Sequence, residues 1–136
     1  MARSRRTQHS RGFTLIELMI VISVILILVS IAIPAYNQSI LRAKESVLRQ
    51  NLFTLRELIS QYTLDKQKGP QSLDDLVAAG YLKQIPADPF TGKNDTWVPE
   101  QEQDVILSAD QSEPGIIDVH SGSEQVSSDG TAYNTW

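Results

Sequence analysis

The stretch FTLIELMIVISVILILVSIAIP, which runs from Phe13 to Pro34, decides the fold of the front of this 136-residue chain. From Phe13 to Ile33 it has 21 residues, and Glu17 is the only ionisable one among them. As a helix this run would be roughly 31 Å long, which is enough to cross the hydrocarbon core of a bilayer. We therefore predict a transmembrane helix in which the carboxylate of Glu17 needs an explanation of its own.

The charges of the chain are divided unevenly. Four arginines precede the apolar run: Arg3, Arg5, Arg6 and Arg11. Basic residues beside a membrane span stay on the cytoplasmic side, so the short N-terminus is predicted to be cytoplasmic and the rest translocated. Without the segment through Gly12, eight basic residues remain against sixteen acidic ones, which argues against nucleic-acid binding. The chain has no cysteine, so disulfides, thiolate metal sites and thiol nucleophiles are excluded.

After Pro34 the apolar residues become periodic. Their spacing predicts an amphipathic helix with one buried stripe: Leu41, Leu48, Leu52, Leu55, Ile59 and Tyr62. The charged residues between them, Glu45 and Arg56 included, are expected on a solvated or partner-facing side. Together with the apolar run this predicts one helix of about fifty residues that stops at Gly69-Pro70. A kink or local melting is expected at Pro34, because proline has no N–H for the Ser30 carbonyl.

The rest of the chain predicts short elements. In QSLDDLVAAGYL, Ser72 and Asp75 form a capping-box pattern and Gly80 is placed to end a short helix. Short β-prone runs follow at Thr96–Val98, Val105–Ser108 and Ile116–His120, and the last sixteen residues are expected to form an ordered loop. The predicted fold class is α+β, with a long N-terminal helix packed against a short helix, loops and a small antiparallel sheet.

The front of the chain resembles the class III signal of type IV pilins and type II secretion pseudopilins. A short basic leader ends in Gly12, and an apolar helix follows with glutamate at its fifth position, Glu17. The resemblance implies that a prepilin peptidase cuts after Gly12, that Phe13 becomes N-methylated, and that Pro34 is the family's helix-interrupting proline. It therefore implies a leader at 1–12, a transmembrane assembly helix at 13–34 and a periplasmic domain at 35–136.

The carboxylate of Glu17 fits that interpretation on physical grounds. An unpaired carboxylate in hydrocarbon costs several kcal/mol, so it needs a cation. Cleavage after Gly12 would create one at Phe13, and the ammonium of a neighbouring subunit is as accessible as that of the same chain. At ~4 Å and an effective dielectric near 20 such a pair is worth on the order of 4 kcal/mol before desolvation. We therefore expect Glu17 to set the axial register between subunits.

Three alternatives remain for the front of the chain. A secretory signal peptide could be cleaved after Ser30-Ile31-Ala32, but its core should be shorter and free of carboxylate. Ser4-Arg5-Arg6 is similar to a twin-arginine signal, yet the hydrophobic continuation is missing after it. A plain membrane anchor could carry Glu17 by accident.

The rear of the chain resembles the same pseudopilins less sharply. IPADPFTG is similar to their Pro-x-Asp-Pro-aromatic-Gly turn, in which Asp88 would accept local backbone N–H groups. IIDVHSGS is similar to the start of their calcium loop, which makes Asp118, Ser121 and Asp129 candidate calcium ligands. The spacing matches no EF-hand loop, and solvated turn residues would have the same composition. His120 has no second histidine at ligand spacing, which favours a surface or strand-end residue over a metal ligand.

The resulting functional expectation is a non-catalytic structural subunit. No phosphate loop, Ser/His/Asp arrangement or zinc pattern supports an enzyme. The resemblance implies a type II secretion pseudopilin that waits in the inner membrane and polymerises with itself and with minor pseudopilins into a periplasmic filament. It also implies a prepilin peptidase, a membrane assembly platform and its ATPase as partners. The alternatives are a type IV pilin for adhesion, motility or DNA uptake, and a membrane-anchored periplasmic binding module that never polymerises.

Overall fold

The structure is a computed structural model that describes residues 12–103 and 114–136. The predicted leader up to Arg11 and the predicted strand Val105–Ser108 lie outside the described residues. The chain divides into two compact units, one ending at Gln38 and one spanning Ser39–Trp136. The described part of the first unit is almost entirely helix, and the second unit contains the other helices and the sheet.

Helix α1 runs from Leu15 to Lys66, 52 residues, and contributes to both units. It ends just before Gly69-Pro70, as predicted from the sequence. It also continues through Pro34, so the expected local melting there is wrong. Proline removes only one hydrogen bond of the ladder, and the turns on both sides keep theirs.

The stripe predicted for the second part of α1 is confirmed in the Ser39–Trp136 unit. Leu48, Leu52, Leu55 and Ile59 are buried, while Leu41 and Tyr62 are half-buried. Tyr62 and the four buried residues pack in one hydrophobic core with side chains from the rest of the unit: Leu73, Leu76, Trp97, Ile116, Val119 and Tyr133. The spacing of 3.6 residues per turn places the stripe on one face of α1, and that face becomes the wall of the core.

Helix α2 is short and spans Asp74–Ala78. Half of the predicted capping box is present, because the Asp75 carboxylate accepts the N–H groups of Gln71 at 2.7 Å and Ser72 at 3.2 Å. Gly80 follows the helix with a φ of +83°, a left-handed conformation that glycine adopts without strain. The chain thus leaves α2 where the sequence predicts.

Strand β1, Val98–Gln101, pairs antiparallel with strand β2, Ile116–His120. β2 has the predicted bounds, whereas β1 begins at the last residue of the predicted run. Trp97 lies in the core instead, where its indole N–H donates to the Pro86 carbonyl at 2.8 Å. β1 is exposed along its length and contains Pro99, which is tolerated on an edge strand. The observed helices and antiparallel sheet confirm the α+β class.

The final segment is an ordered loop, as predicted, with two small elements. Val126 and Ala132 form an isolated antiparallel bridge, and Tyr133–Thr135 form one turn of 3-10 helix. Gly130 has a φ of +89° in the tight turn between the two bridge residues. This segment makes several polar contacts with α1, through Ser128, Tyr133 and Trp136.

Candidate functional site

The first helical turn of α1 is capped by Thr14, the residue before it. The Thr14 hydroxyl oxygen accepts the N–H of Glu17 at 3.2 Å, and the Thr14 carbonyl accepts the N–H of Leu18 at 3.2 Å. Thr14-x-x-Glu17 is the sequence pattern of a capping box, a signal that the sequence reasoning missed. Gly12 and Phe13 precede this cap outside the helix and are exposed. The predicted cleavage bond therefore lies directly before a well-defined helix start.

Glu17 lies in the first turn of α1, where a negative charge interacts favourably with the helix dipole. Its side chain is exposed, and no residue in the described ranges hydrogen-bonds its carboxylate. The residue thus has a local reason to be acidic and also a carboxylate that is free to meet a group from another molecule. The predicted assembly roles of Glu17 and Pro34 stay predictions.

The apolar side chains of the first unit are exposed. One 18-residue window of α1 has a mean hydropathy of 3.0, and none of its residues is buried. By length and composition, α1 could therefore span a membrane. The two serines within the run satisfy their hydroxyls internally: Ser23 donates to the Met19 carbonyl and Ser30 to the Ile27 carbonyl, both at 2.7 Å. Such a surface needs lipid or other apolar helices around it.

Glu45 corrects the sequence-based expectation of a solvated side chain. It is only 6% exposed, because it lies three residues before Leu48 on the same face of α1. Its carboxylate accepts the Ser128 N–H and hydroxyl, both at 2.7 Å, and the Tyr133 hydroxyl at 2.9 Å. The Ser128 hydroxyl is the main reason why the pKa of Glu45 is lowered despite its desolvation. A buried charge is tolerated here because its oxygens are satisfied.

Two arginines on α1 also hold the final segment. Arg56 donates to the Asp118 carboxylate at 2.5 Å and to the main-chain oxygens of Val119 at 3.0 Å and Trp136 at 2.9 Å. Arg49 lies 4.4 Å from the centre of the Trp136 ring, a cation–π contact, and 3.9 Å from Asp129. Glu45, Arg49 and Arg56 thus form what we term the α1 clasp.

The predicted role of Asp88 is confirmed. One of its carboxylate oxygens accepts the Phe90 N–H at 2.8 Å and the Thr91 N–H at 3.4 Å, and the residue is fully buried. Its second oxygen accepts the Ser121 hydroxyl. Asp88 therefore joins the turn after α2 to the end of β2.

The three candidate calcium ligands have different partners in the structure. Asp118 faces Arg56, Ser121 donates to Asp88, and Asp129 accepts the Thr131 hydroxyl at 2.7 Å. No hydrogen bond joins two of the three, and each carboxylate also has an arginine within 4 Å. A calcium site would need six to eight oxygens that converge on one point, so these side chains would have to exchange their present partners for the ion. An effect of calcium stays a prediction.

The amino-acid sequence of this chain is similar to those of known proteins. Residues 7–33 match the model of the prokaryotic N-terminal methylation motif. The type II secretion system core protein G of Escherichia coli (strain K12) is 32% identical over 102 residues, 63% of this chain and 70% of that relative. The protein of the same name from Klebsiella michiganensis is 28% identical over 131 residues, 83% of this chain and 92% of the relative.

A type IV pilin is also similar. The type IV major pilin protein PilA of Myxococcus xanthus is 41% identical over 68 residues, which make up 50% of this chain and 31% of that relative. No solved structure gives a significant match to the chain.

Proposed function

This chain belongs to the family of the type II secretion system core protein G, the major pseudopilins, and from that premise we propose that it is the structural subunit of a periplasmic pseudopilus. Members of this family are structural subunits and not enzymes. The observation that carries the proposal is the exposed apolar surface of α1 with one carboxylate in its first turn. The apolar run Phe13–Ile33 lies in the inner membrane before assembly. After assembly it packs against the same helix of other subunits.

The proposed cycle begins with processing. A prepilin peptidase cuts between Gly12 and Phe13, which are exposed and outside the helix, and leaves an ammonium group two residues before α1 begins. The N-terminus is cytoplasmic and the Ser39–Trp136 unit is periplasmic, in agreement with the basic residues at the front of the chain. Methylation of Phe13 would keep the cationic charge in place.

Assembly then exchanges lipid contacts for contacts between helices. Moving the apolar run out of the bilayer is unfavourable for one subunit, so packing of neighbouring α1 helices has to replace the lost contacts. An assembly platform and its ATPase supply the work, and minor pseudopilins belong to the same filament. Glu17 pairs with the Phe13 ammonium of an adjacent subunit, and this single polar contact sets the register along an otherwise apolar surface.

The test replaces Glu17 with Gln in a host that contains the secretion machinery. Glutamine keeps the size and also suits the third helical position of a capping box, so the helix start survives while the charge is lost. Thr14→Ala is the matched control, because it removes the cap and keeps the carboxylate. We expect Glu17→Gln to yield cleaved, membrane-resident protein without filaments, and Thr14→Ala to yield filaments.

Filaments are measured by shearing and electron microscopy, and processing by mass spectrometry of the mature N-terminus. Filaments at the wild-type level from Glu17→Gln would show that the charge does not set the register. A mature chain that starts near Ile33 would show a conventional signal peptide and would overturn the whole proposal.

The second candidate is a type IV pilus subunit, which the similarity to PilA favours. The two functions differ in their readout, since a pseudopilin restores secretion to a strain without its core protein G and a pilin restores surface pili. We expect restoration of secretion, because the core protein G relatives extend over more of this chain than PilA does.

A further inference from the structure

A cluster of three metal-ligating side chains lies on one face of the sheet. Glu100 of β1 is directly opposite Asp118 of β2, and His120 is two residues further along β2, so all three side chains share that face. One oxygen or nitrogen from each lies within 4.8 Å of the others. The cluster is separate from Ser121 and Asp129, the other two residues considered for calcium.

The imidazole of His120 is surrounded by oxygen atoms. Its Nδ1 lies 2.6 Å from the main-chain oxygen of Trp136, and its Nε2 lies 3.2 Å from Glu100 Oε2 and 3.9 Å from Asp118 Oδ2. A neutral imidazole has one donor and one acceptor nitrogen. With the proton on Nδ1, the lone pair of Nε2 points at two carboxylates, so a cation must come between them: either a proton on Nε2 or a metal ion.

The contacts around the cluster orient two of its three side chains, His120 and Asp118. A main-chain oxygen on Nδ1 fixes the tautomer that leaves Nε2 free to coordinate. Asp118 Oδ1 accepts Arg56 Nε at 2.5 Å and the Val119 N–H at 2.7 Å, which orients the carboxylate and leaves Oδ2 directed at His120. In a tetrahedral zinc site with bonds of about 2.0–2.1 Å the ligand atoms are about 3.3 Å apart. The two distances from His120 Nε2, 3.2 and 3.9 Å, bracket that separation.

We propose that Glu100, Asp118 and His120 bind one divalent transition-metal ion, of which Zn²⁺ is the representative, with water in the remaining position. An imidazole nitrogen with two carboxylates suits Zn²⁺ and its first-row neighbours, whereas Ca²⁺ takes oxygen ligands. The positive charge of Arg56 offsets one carboxylate, which leaves a net negative charge for the ion. Glu100 and Asp118 are partly exposed, which gives the ion access from solvent.

Binding would join the two strands of the sheet by a link other than hydrogen bonds. Because Arg56 and Trp136 contact the same ligands, the ion would also tie α1 and the final segment to this sheet. The metal would thus stabilise the Ser39–Trp136 unit, because it binds the folded state. The competing occupant is a proton, which would make His120 an imidazolium held by Glu100, Asp118 and the Trp136 oxygen.

The experiment uses the full chain without an affinity tag, purified in detergent and stripped of metal. His9 is the other histidine of the chain, so the His9→Ala background makes His120 the only one. Zn²⁺ is titrated by calorimetry near pH 7.5, and Co²⁺ serves as a spectroscopic probe, because its visible absorption reports four-coordinate ligation. Glu100→Gln tests a ligand whose contact to His120 lies at the surface, and Glu102→Gln is the matched control outside the cluster.

We expect one Zn²⁺ per chain, no displacement by millimolar Ca²⁺, and an affinity at least about tenfold weaker in Glu100→Gln than in Glu102→Gln. Affinity should fall as pH is lowered, because the ion and the proton compete for Nε2. Absence of binding at millimolar Zn²⁺, or equal affinity in the two variants, would overturn the proposal. So would an NMR titration in which the His120 ring signals respond to pH and stay unchanged with Zn²⁺, since that result assigns the cluster to the proton alone.

Discussion

The Tyr133 hydroxyl donates a hydrogen bond of 2.9 Å to the Glu45 carboxylate, across 88 residues of sequence. Burial of Tyr133 and this contact with a negative charge raise the pKa of the phenol to about 12, so it stays a donor throughout the physiological range. Ser128 completes the set of donors on the same carboxylate. The polar centre of the clasp therefore depends on one acidic side chain of α1.

Glu45→Gln should destabilise the Ser39–Trp136 unit. The amide presents one acceptor oxygen in place of two and directs N–H groups at donors, so at least one charged hydrogen bond is lost, worth about 1.5–3 kcal/mol. Urea unfolding of the full chain in detergent, followed by tryptophan fluorescence, measures the loss. Glu57→Gln on the exposed side of α1 is the control. Equal unfolding midpoints for the two variants would contradict a stabilising role for Glu45.

The contribution of Glu45 should disappear in acid. Its folded-state pKa lies below the ordinary 4.5, first because of the Ser128 hydroxyl, so its stabilisation is complete above that value and is lost as pH falls through the folded-state pKa. The difference in unfolding free energy between wild type and Glu45→Gln should be constant near neutral pH and shrink below about pH 4.5. The Ser127 hydroxyl lowers the pKa of Asp129 to about 2. Asp129 is present in both proteins, so its contribution to the unfolding free energy cancels in the difference. A difference that grows in acid would reverse the assigned sign.

Gly122→Ala should destabilise the sheet end. A Cβ built at Gly122 would lie 2.1 Å from the carbonyl oxygen of Thr96, so main chain has to move. Overpacking of this kind costs about 1–3 kcal/mol. Glu124→Ala, an exposed neighbour in the same loop, is the control in the same urea assay. A Gly122→Ala protein as stable as the control would show that the two segments separate at little cost.

Calcium should change the melting temperature little. Ser121 and Asp129 already have hydrogen-bond partners in Asp88 and Thr131, and calcium would have to displace them. A thermal melt with and without millimolar calcium measures the effect, since an ion that binds the folded state alone raises the midpoint. A rise of several degrees would support the sequence-based hypothesis and would direct attention to main-chain oxygens of the final segment as ligands.

Local patterns predicted the parts of the fold that depend on local physics. The leucine spacing from Leu48 to Leu55 predicted the buried face of α1, and the Pro-x-Asp-Pro turn predicted the role of Asp88. Glu45 could not be predicted in this way, because its donors Ser128 and Tyr133 are more than 80 positions away. A charged residue between the leucines of an amphipathic helix is expected to be solvated. The cluster at His120 needed the register of β1 against β2, which no local pattern specifies. The Thr14 cap, in contrast, could have been predicted from the local pattern Thr14-x-x-Glu17.

The α1 clasp has a mechanical consequence. Glu45, Arg49 and Arg56 are spread over eleven positions of α1, or about 16 Å of helix. A load along the helix axis strains the three contacts in parallel, so they have to fail together. A pull on Trp136 away from the axis strains its contacts with Arg49 and Arg56 before those of Glu45. The final segment is therefore held more firmly against sliding along α1 than against peeling away from it.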